Sequence, residues 1–378
     1  MHRWIILLIP ILLLFVTGCS QLNKATDLIT NPTTKERYQR DFKISEDLFL
    51  IWENQALLGL QDSVKIKSPY FQEGFFKPKS FPVLSYDLDL KAGEKFDITV
   101  DLDSTFNLVF IDLFYLENDS LRSYKKISTA DFDRKSLSKE IEQTGTYKVV
   151  IQPEIDASTP FLIKMETTPI YEFPVAGGKN QHIQSFWGAT RDAGKRSHEG
   201  IDIFAPRGTP VIAVTDGQIT SSGEKGLGGK QVWIRDRSRN QSLYYAHLDS
   251  IMPFTTNRVK TGDTIGFVGN TGNARTTAPH LHFGIYKGYR GAIDPLPHVY
   301  QISQAEFTPS REVPANQNFI TRAIANIRDI PATKGSRVIG NLNPQDTVMF
   351  LGKSNDWYHI RTSARQAAFI HESLVAPL

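Results

Sequence analysis

Residues 198–219 read HEGIDIFAPRGTPVIAVTDGQI, and this stretch decides the fold of the middle of the chain. Its short apolar runs, IDIF and PVIAV, are separated by the turn-forming sequence APRGT. Such runs, bounded by glycine and proline, are typical of β-strands that meet at tight corners. The pattern continues through GGKQVWIRD, QSLYYAHLD and VKTGDTIGFVGNTG, so residues 171–300 are predicted to form a compact domain of curved β-sheets.

The sequence before this domain also favours β-structure. SYDLDL and KFDITVDLD alternate apolar and polar residues, and TFNLVFIDLFYL is a more continuous apolar run, as expected for a buried strand. We therefore predict a β-sandwich for residues 46–168, with the aspartates of SYDLDL facing solvent. Residues 19–45 are polar and weakly patterned, which indicates a tether or a frayed helix.

A third β-rich segment, residues 319–378, follows a predicted linker at residues 301–318. It resembles the bacterial SH3-like domain, and the matching residues are Asn326, Arg328, Pro331, Val338, Gly340, Leu342, Val348, Trp357, Phe369 and Leu374. The resemblance implies a small barrel that binds cell-wall peptides or serves as a spacer. His359 and His371 lie in this segment and are assigned no role. The whole chain is thus expected to be mainly β.

The first residues have the pattern of an export signal. A basic start at Arg3 is followed by the apolar run WIILLIPILLLFV, and the segment ends in VTGCS. Residues 16–19 resemble the lipobox of bacterial lipoproteins, in which the cysteine is acylated and becomes the first residue of the mature chain. The resemblance implies a signal peptide at residues 1–18, a lipid anchor on Cys19, and a location in the cell envelope, held to a membrane and facing the periplasm or cell wall.

The charge balance argues against one class of partner. Of the 378 residues, 43 are Lys or Arg and 40 are Asp or Glu, which gives a formal net charge of +3. Nucleic-acid binding requires clustered positive charge, and no basic run stands out. We therefore expect no nucleic-acid partner.

Two histidines, His280 and His282, lie two residues apart in the sequence PHLHF. In a strand these positions share a face and are about 6.6–6.8 Å apart along the chain. Zinc binds an imidazole nitrogen at about 2.0–2.1 Å, so both rings reach one ion only by leaning together. Alternatively, one ring binds a metal and the other transfers a proton. The spacing leaves both arrangements open.

Other fragments supply further candidates. His198 and Asp202 are four residues apart and offer an imidazole and a carboxylate, both good zinc ligands. With one ring of the PHLHF pair they make a ligand set that leaves the fourth tetrahedral position to water, as in catalytic zinc sites. His247, at the end of the strand LYYAH, is a candidate for a second histidine that faces the cleft without binding metal. His182 and His298 lack such a context and are expected to be surface or capping residues.

The fragments HEGIDIFAPRGTPVIAVTDGQI, YYAHLDS, VKTGDTIGFVGNTG and PHLHF, in this order and spacing, resemble the lysostaphin-like (LytM-type) zinc endopeptidases that cut peptidoglycan. The resemblance covers residues 171–300. It implies that Zn²⁺ is bound by His198, Asp202 and His282. It also implies that His247 and His280 are the catalytic histidines. The expected reaction is hydrolysis of amide bonds in the peptide cross-links or bridges of peptidoglycan.

Two other functions are compatible with parts of the sequence. Relatives that lost the metal ligands act as non-enzymatic activators or scaffolds of cell-wall amidases, but this chain has all five site residues, which favours the enzyme. The chain could also be an adhesin that binds the cell wall through its SH3-like segment. That function gives no reason for the presence of the five site residues.

Overall fold

The computed structural model describes residues 27, 30–103, 107–131, 133–303 and 318–378. The predicted signal peptide, Cys19 and most of the predicted linker lie outside these residues. The described chain is mainly β, as predicted. None of the helices in the described ranges combines the length and apolar character needed to cross a bilayer.

Two antiparallel sheets pack face to face in the N-terminal part of the chain, and we call them the N-terminal sandwich. Their strands are β1 Tyr70–Phe76, β2 Leu84–Leu90, β3 Glu94–Leu102, β4 Val109–Asn118, β5 Ser123–Thr129, β6 Ser136–Glu140, β7 Gly145–Pro153 and β8 Thr159–Pro169. One sheet has the order β2-β7-β4-β5, and the other contains β1-β8-β3-β6. Alternate residues of each strand, such as Ile98, Ile111 and Ile163, enter the shared apolar core.

Two helices, α1 Thr34–Asp41 and α2 Glu46–Gly59, precede the sandwich. The expectation of β-structure from residue 46 is therefore wrong for residues 46–59. Trp52 of α2 is fully buried and packs with Phe110, which points to the opposite face of β4 from the sandwich core. The helices thus cover the outer face of one sheet, and the run TFNLVFIDLFYL is largely apolar because the first half of β4, residues 109–113, is buried on both faces.

One aspartate of SYDLDL is not solvent-facing, contrary to expectation. Asp87 is buried, and its Oδ1 atom lies 2.8 Å from Nζ of the fully buried Lys148. A buried carboxylate requires a partner of this kind, because desolvation of an unpaired charge is strongly unfavourable.

The middle domain, residues 171–300, has one ten-stranded sheet and one two-stranded sheet. The strands are β9 Ile183–Ser185, β10 Thr190–Arg191, β11 Arg196–Ser197, β12 Ile201–Phe204, β13 Pro210–Ile212, β14 Gly217–Glu224, β15 Lys230–Asp236, β16 Gln241–Ile251, β17 Arg258–Val259, β18 Thr264–Val268, β19 His280–Tyr286 and β20 Ala292–Ile293. A short helix, α3 Leu296–Val299, ends the domain. The main path of the larger sheet is β17-β14-β15-β16-β19-β12-β9, which places β12 and β16 on either side of β19.

The C-terminal domain, residues 318–378, is also a curved antiparallel sheet. Its strands are β21 Asn318–Thr321, β22 Ala325–Arg328, β23 Val338–Leu342, β24 Thr347–Ser354, β25 Trp357–Thr362, β26 Ala367–His371 and β27 Val375–Pro377. Strands β23 and β27 end the ladder without pairing with each other in the described part of the chain, so it does not close into a barrel. Strand β24 also pairs with β1, which joins this domain to the N-terminal sandwich.

His298 is buried, so the expectation that it lies at the surface is wrong. Its ring stacks on Tyr171 at a centroid distance of 6.1 Å and packs against Gly93 of the N-terminal sandwich. It is buried because the middle domain contacts the sandwich here. His182 agrees with the expectation of a capping role, since its Nδ1 atom accepts a hydrogen bond of 3.0 Å from the Lys179 amide.

Candidate metal centre

Two neighbouring strands of the middle domain, β12 and β19, and the segment between β11 and β12 bring the predicted ligands together. Asp202 on β12 lies opposite His282 on β19, and His282 lies opposite Ala246 on β16. Gly200 makes this approach possible, because a Cβ atom at this position would lie 2.8 Å from the His282 ring and 2.5 Å from the Phe283 carbonyl oxygen. A residue with a side chain would therefore displace the His282 ring or the β19 backbone.

The three side chains form a nearly equilateral triangle of ligand atoms. His198 Nε2, His282 Nδ1 and Asp202 Oδ1 are each 3.0 Å from the other two. All three side chains are largely buried, and the 14% exposure of the His282 side chain is the greatest of them. They are a group of histidine and acidic residues whose ligand atoms lie close enough to hold one ion.

A single cation satisfies this arrangement better than hydrogen bonds do. A ring N–H points in one direction, so it cannot donate with good geometry to two atoms that are themselves in contact. Burial outweighs the attraction of Asp202 and lowers the pKa of His282, so this ring offers a lone pair at neutral pH. Although burial alone would raise the pKa of Asp202, contacts with His198 and His282 hold it below its ordinary range. The donor set is thus two imidazoles and one carboxylate, which suits zinc and similar divalent ions.

The backbone fixes the tautomer of His198. Its Nδ1 atom lies 2.9 Å from the Phe186 carbonyl oxygen, which can only accept a hydrogen bond. Nδ1 therefore carries the proton, and the Nε2 lone pair points into the triangle. Metal-binding histidines are commonly oriented in this way.

His247 approaches the same cleft from the end of β16 in an unusual conformation. Its φ angle is 63°, in the left-handed region that non-glycine residues rarely adopt. Its Nδ1 atom donates a 3.0 Å hydrogen bond to the Thr271 carbonyl oxygen, so Nε2 is left as an acceptor. Burial, followed by the neighbouring His282 and His280 rings, lowers the pKa of His247 to about 4. The ring is therefore neutral at pH 7.

Two glycine turns hold the carbonyl group that orients His247. The turns Gly226–Gly228 and Gly272–Ala274 pack backbone against backbone. Gly229 has a φ of 61°, and a Cβ atom there would lie 2.4 Å from the Gly272 amide nitrogen. Thr271, between these contacts, donates its hydroxyl to the Leu248 carbonyl oxygen at 2.8 Å and accepts from the Lys230 amide at 2.9 Å.

His280 is placed beside His247 and not within the triangle. Its ring centroid lies 5.1 Å from that of His247, and it stacks on Phe204 at 4.9 Å. Its Nδ1 atom lies 2.9 Å from the Ala278 carbonyl oxygen, to which it donates a hydrogen bond. The PHLHF spacing left open whether both rings or only one ring lies at the metal. The geometry corresponds to the second arrangement, with His282 in the triangle and His280 beside it.

Arg191 completes the surroundings of Asp202 and was not identified from the sequence. Its guanidinium donates to Asp202 Oδ2 at 2.8 Å and to the Ser185 hydroxyl at 2.6 Å. In the sequence GATRDAGKR nothing distinguishes Arg191 from Arg196, and the pairing of β10 with β11 places the two arginines opposite each other. Only the contact with Asp202 in the folded domain distinguishes Arg191.

The aromatic residues near the site fall into different environments. Tyr245 is fully buried in the core of the middle domain, whereas Trp187 is exposed. Tyr244 contacts the His282 ring edge to face at 5.7 Å, and Trp233 stacks on Tyr244 at 4.3 Å. Tyr244 and Trp233 thus form an aromatic surface beside the triangle.

Comparison with known proteins identifies the same part of the chain. Residues 196–295 match the family described as "Peptidase family M23". The DD-carboxypeptidase/endopeptidase Mpg of Neisseria meningitidis is 39% identical over 143 residues, which cover 36% of this chain and 31% of the relative. The L-Ala--D-Glu endopeptidase of Bacillus subtilis is 34% identical over 148 residues, which cover 36% of this chain and 45% of the relative.

Among solved structures, LytU is 38% identical and covers 31% of this chain and 82% of that chain, with a TM-score of 0.28. The catalytic domain of lysostaphin from Staphylococcus simulans is 31% identical and covers 32% of this chain and 92% of that chain, also with a TM-score of 0.28. The chain spans less than half the length of the curated relatives it matches. Residues 196–295 include all three residues of the triangle. Their match identifies this segment as a domain of peptidase family M23.

Proposed function

We propose that this protein is a zinc-dependent endopeptidase that hydrolyses amide bonds in the peptide cross-links or bridges of peptidoglycan. The observation that carries the proposal is the triangle of His198, Asp202 and His282, with 3.0 Å between each pair of ligand atoms. The names of the relatives add support, since they describe a DD-carboxypeptidase/endopeptidase and an L-Ala--D-Glu endopeptidase.

In this proposal His198, Asp202 and His282 hold the ion. When bound, Zn²⁺ polarises a carbonyl group and lowers the pKa of an attached water to about 7. His247 is neutral at pH 7, and its free Nε2 can accept the proton that the attacking water loses. Once protonated, the same Nε2 would deliver that proton to the leaving amine, and His280, whose ring lies 5.1 Å from that of His247, would stabilise the developing oxyanion in its protonated form.

The proposal is tested by digestion of purified cell-wall sacculi. The protein without residues 1–18 is incubated with sacculi and Zn²⁺, and the released fragments are separated and weighed. We expect new amine termini with the wild type and with His182→Ala, a histidine outside the site, but none with His282→Ala. Equal products from the wild type and His282→Ala would overturn the enzymatic function, and the masses would name the bond that is cut.

We also propose that Cys19 carries a lipid anchor that holds the protein in the cell envelope. The support is the sequence VTGCS after an apolar run, with Cys19 as the only cysteine. Fractionation of cells expressing the full chain should place the wild type with membranes and Cys19→Ala in the soluble fraction. If both proteins fractionate alike, this anchor is excluded.

A further inference from the structure

The C-terminal domain is joined to the N-terminal sandwich by strand pairing. Glu73 of β1 pairs with Lys353 of β24, and the sheet continues from one domain into the other. Near this junction the Gln72 amide donates to the Leu351 carbonyl oxygen at 3.3 Å. Gly352 leaves room for this contact, because a Cβ atom there would lie 2.3 Å from the Gln72 side chain.

The two domains also share an apolar core. Leu351, Ala367 and Phe369 belong to the C-terminal domain, yet they are buried in the core cluster of the N-terminal sandwich. His359 is fully buried between Phe369 and Tyr86 of the sandwich, at ring-centroid distances of 5.1 and 5.3 Å. Separation of the domains would expose these apolar groups to water, which is unfavourable in proportion to their area.

A buried ion pair crosses the same interface. Arg361 donates two hydrogen bonds to Asp62, of 3.0 Å to Oδ1 and 2.8 Å to Oδ2. Asp62 is 7% exposed, and its Oδ2 atom also accepts from the Ser85 hydroxyl at 2.6 Å. A paired and buried carboxylate of this kind is strongly destabilised when its partner is removed.

The middle domain begins and ends at neighbouring points. The Tyr171 amide donates a 2.9 Å hydrogen bond to the His298 carbonyl oxygen, so its first and last residues lie side by side. Adjacent ends allow a domain to be inserted into another without disturbing it.

We infer that residues 60–169 and 318–378 form one discontinuous scaffold, into which the M23 domain is inserted. The C-terminal domain is then a structural part of the scaffold and not a detachable module that binds the cell wall by itself. The surface of the sandwich around Asp62, Gln72 and Tyr86 is its docking site. This inference concerns the assembly of the chain and does not depend on the proposed enzymatic function.

The inference is tested by cutting the linker of the otherwise complete protein. A recognition sequence for a specific protease is placed within residues 304–317, and the cleaved protein is passed through a gel-filtration column in native buffer. We expect the two fragments to elute together and to separate only in denaturant. Separation in native buffer, with each fragment keeping its circular dichroism spectrum, would overturn the inference.

Variants of the cleaved protein show whether the docking site around Asp62, Gln72 and Tyr86 holds the two fragments together. Arg361→Ala should weaken the association of the fragments by roughly a hundredfold or more, as expected when one partner of a buried ion pair is removed. Arg322→Ala, at an exposed position of the same domain, is the matched control and should leave the association unchanged. An association that both variants leave equally strong would also overturn the inference, because the docking surface would lie elsewhere.

Discussion

The Arg191 guanidinium donates a hydrogen bond of 2.8 Å to Asp202 Oδ2, while Oδ1 of the same carboxylate faces His198 and His282. The two oxygens of one carboxylate therefore have different partners. Arg191 holds the carboxylate in the orientation that directs Oδ1 to the centre of the triangle. Groups that orient metal ligands in this way commonly change metal affinity by about 10- to 100-fold when they are removed.

We therefore expect Arg191→Ala to bind zinc about 10- to 100-fold more weakly than the wild type. The measurement is a competition between the protein and a chromophoric chelator, which needs no substrate. Arg191→Lys should recover only part of the affinity, because Lys lacks the planar pair of donors. Lys195→Ala, at an exposed position of the same loop, is the control. An unchanged affinity in Arg191→Ala would show that Asp202 is oriented without it.

Zinc should stabilise the folded protein, since the three ligands meet only in the folded state. At a free zinc concentration 100 times the dissociation constant, binding adds about 2.7 kcal/mol to the free energy of unfolding. Thermal denaturation with and without zinc measures this effect. The gain should vanish in His282→Ala and persist in His182→Ala, whose ring caps a turn away from the site. A zinc effect of equal size in both variants would place the binding elsewhere.

The conformation of His247 depends on Gly229. A side chain at position 229 would collide with the Gly272 amide nitrogen and with Thr271, whose carbonyl oxygen orients His247. A catalytic group displaced by about 1 Å can lose about 100-fold in rate. We expect Gly229→Ala to reduce sacculus hydrolysis by up to this factor while the zinc affinity stays the same, because the atoms nearest its Cβ position belong to Gly272 and Thr271 and not to the three ligands.

Gly226 offers a matched control for this variant. It also has a positive φ angle, of 55°, but nothing lies within 4 Å of its Cβ position. Gly226→Ala therefore introduces backbone strain without the collision, and it should retain most of the activity. Equal losses in the two variants would mean that backbone strain, and not the displacement of Thr271, affects the site.

The sequence predicts those parts of the molecule that depend on local pattern. Alternating strands and glycine corners indicate the mainly β fold. The short motifs, taken together in their order and spacing, predict five candidate site residues, and the fold brings their side chains close together. Helix α2 was missed because Leu50, Ile51, Leu57 and Leu58 are exposed apolar residues, which obscure its helical period. The contact of Asp62 with Arg361 joins residues 299 positions apart, and no local pattern signals such a pair.

The pKa of His359 depends on contacts that exist only in the folded protein. Both of its ring nitrogens are buried and lack a hydrogen-bond partner among the described residues. Burial, reinforced by the positive charge of Arg361 and opposed by Asp62, lowers the pKa of His359 from 6.5 to about 3. In the unfolded chain the ring keeps its ordinary pKa. Between pH 6.5 and 3 the unfolded state therefore binds a proton that the folded state does not, and stability falls as the pH is lowered through this range.

Replacing His359 by leucine removes this titration and the unpartnered ring nitrogens. We expect the free energy of unfolding of His359→Leu to equal or exceed that of the wild type at pH 7. Its advantage should grow by about 1.4 kcal/mol per pH unit as the pH falls below 6.5, because only the wild type has this protonation to resist. Urea denaturation of both proteins at several pH values gives the difference, in which the titration of all other groups cancels. A difference that does not change with pH would show that the His359 ring is protonated, or reached by water, within the folded scaffold.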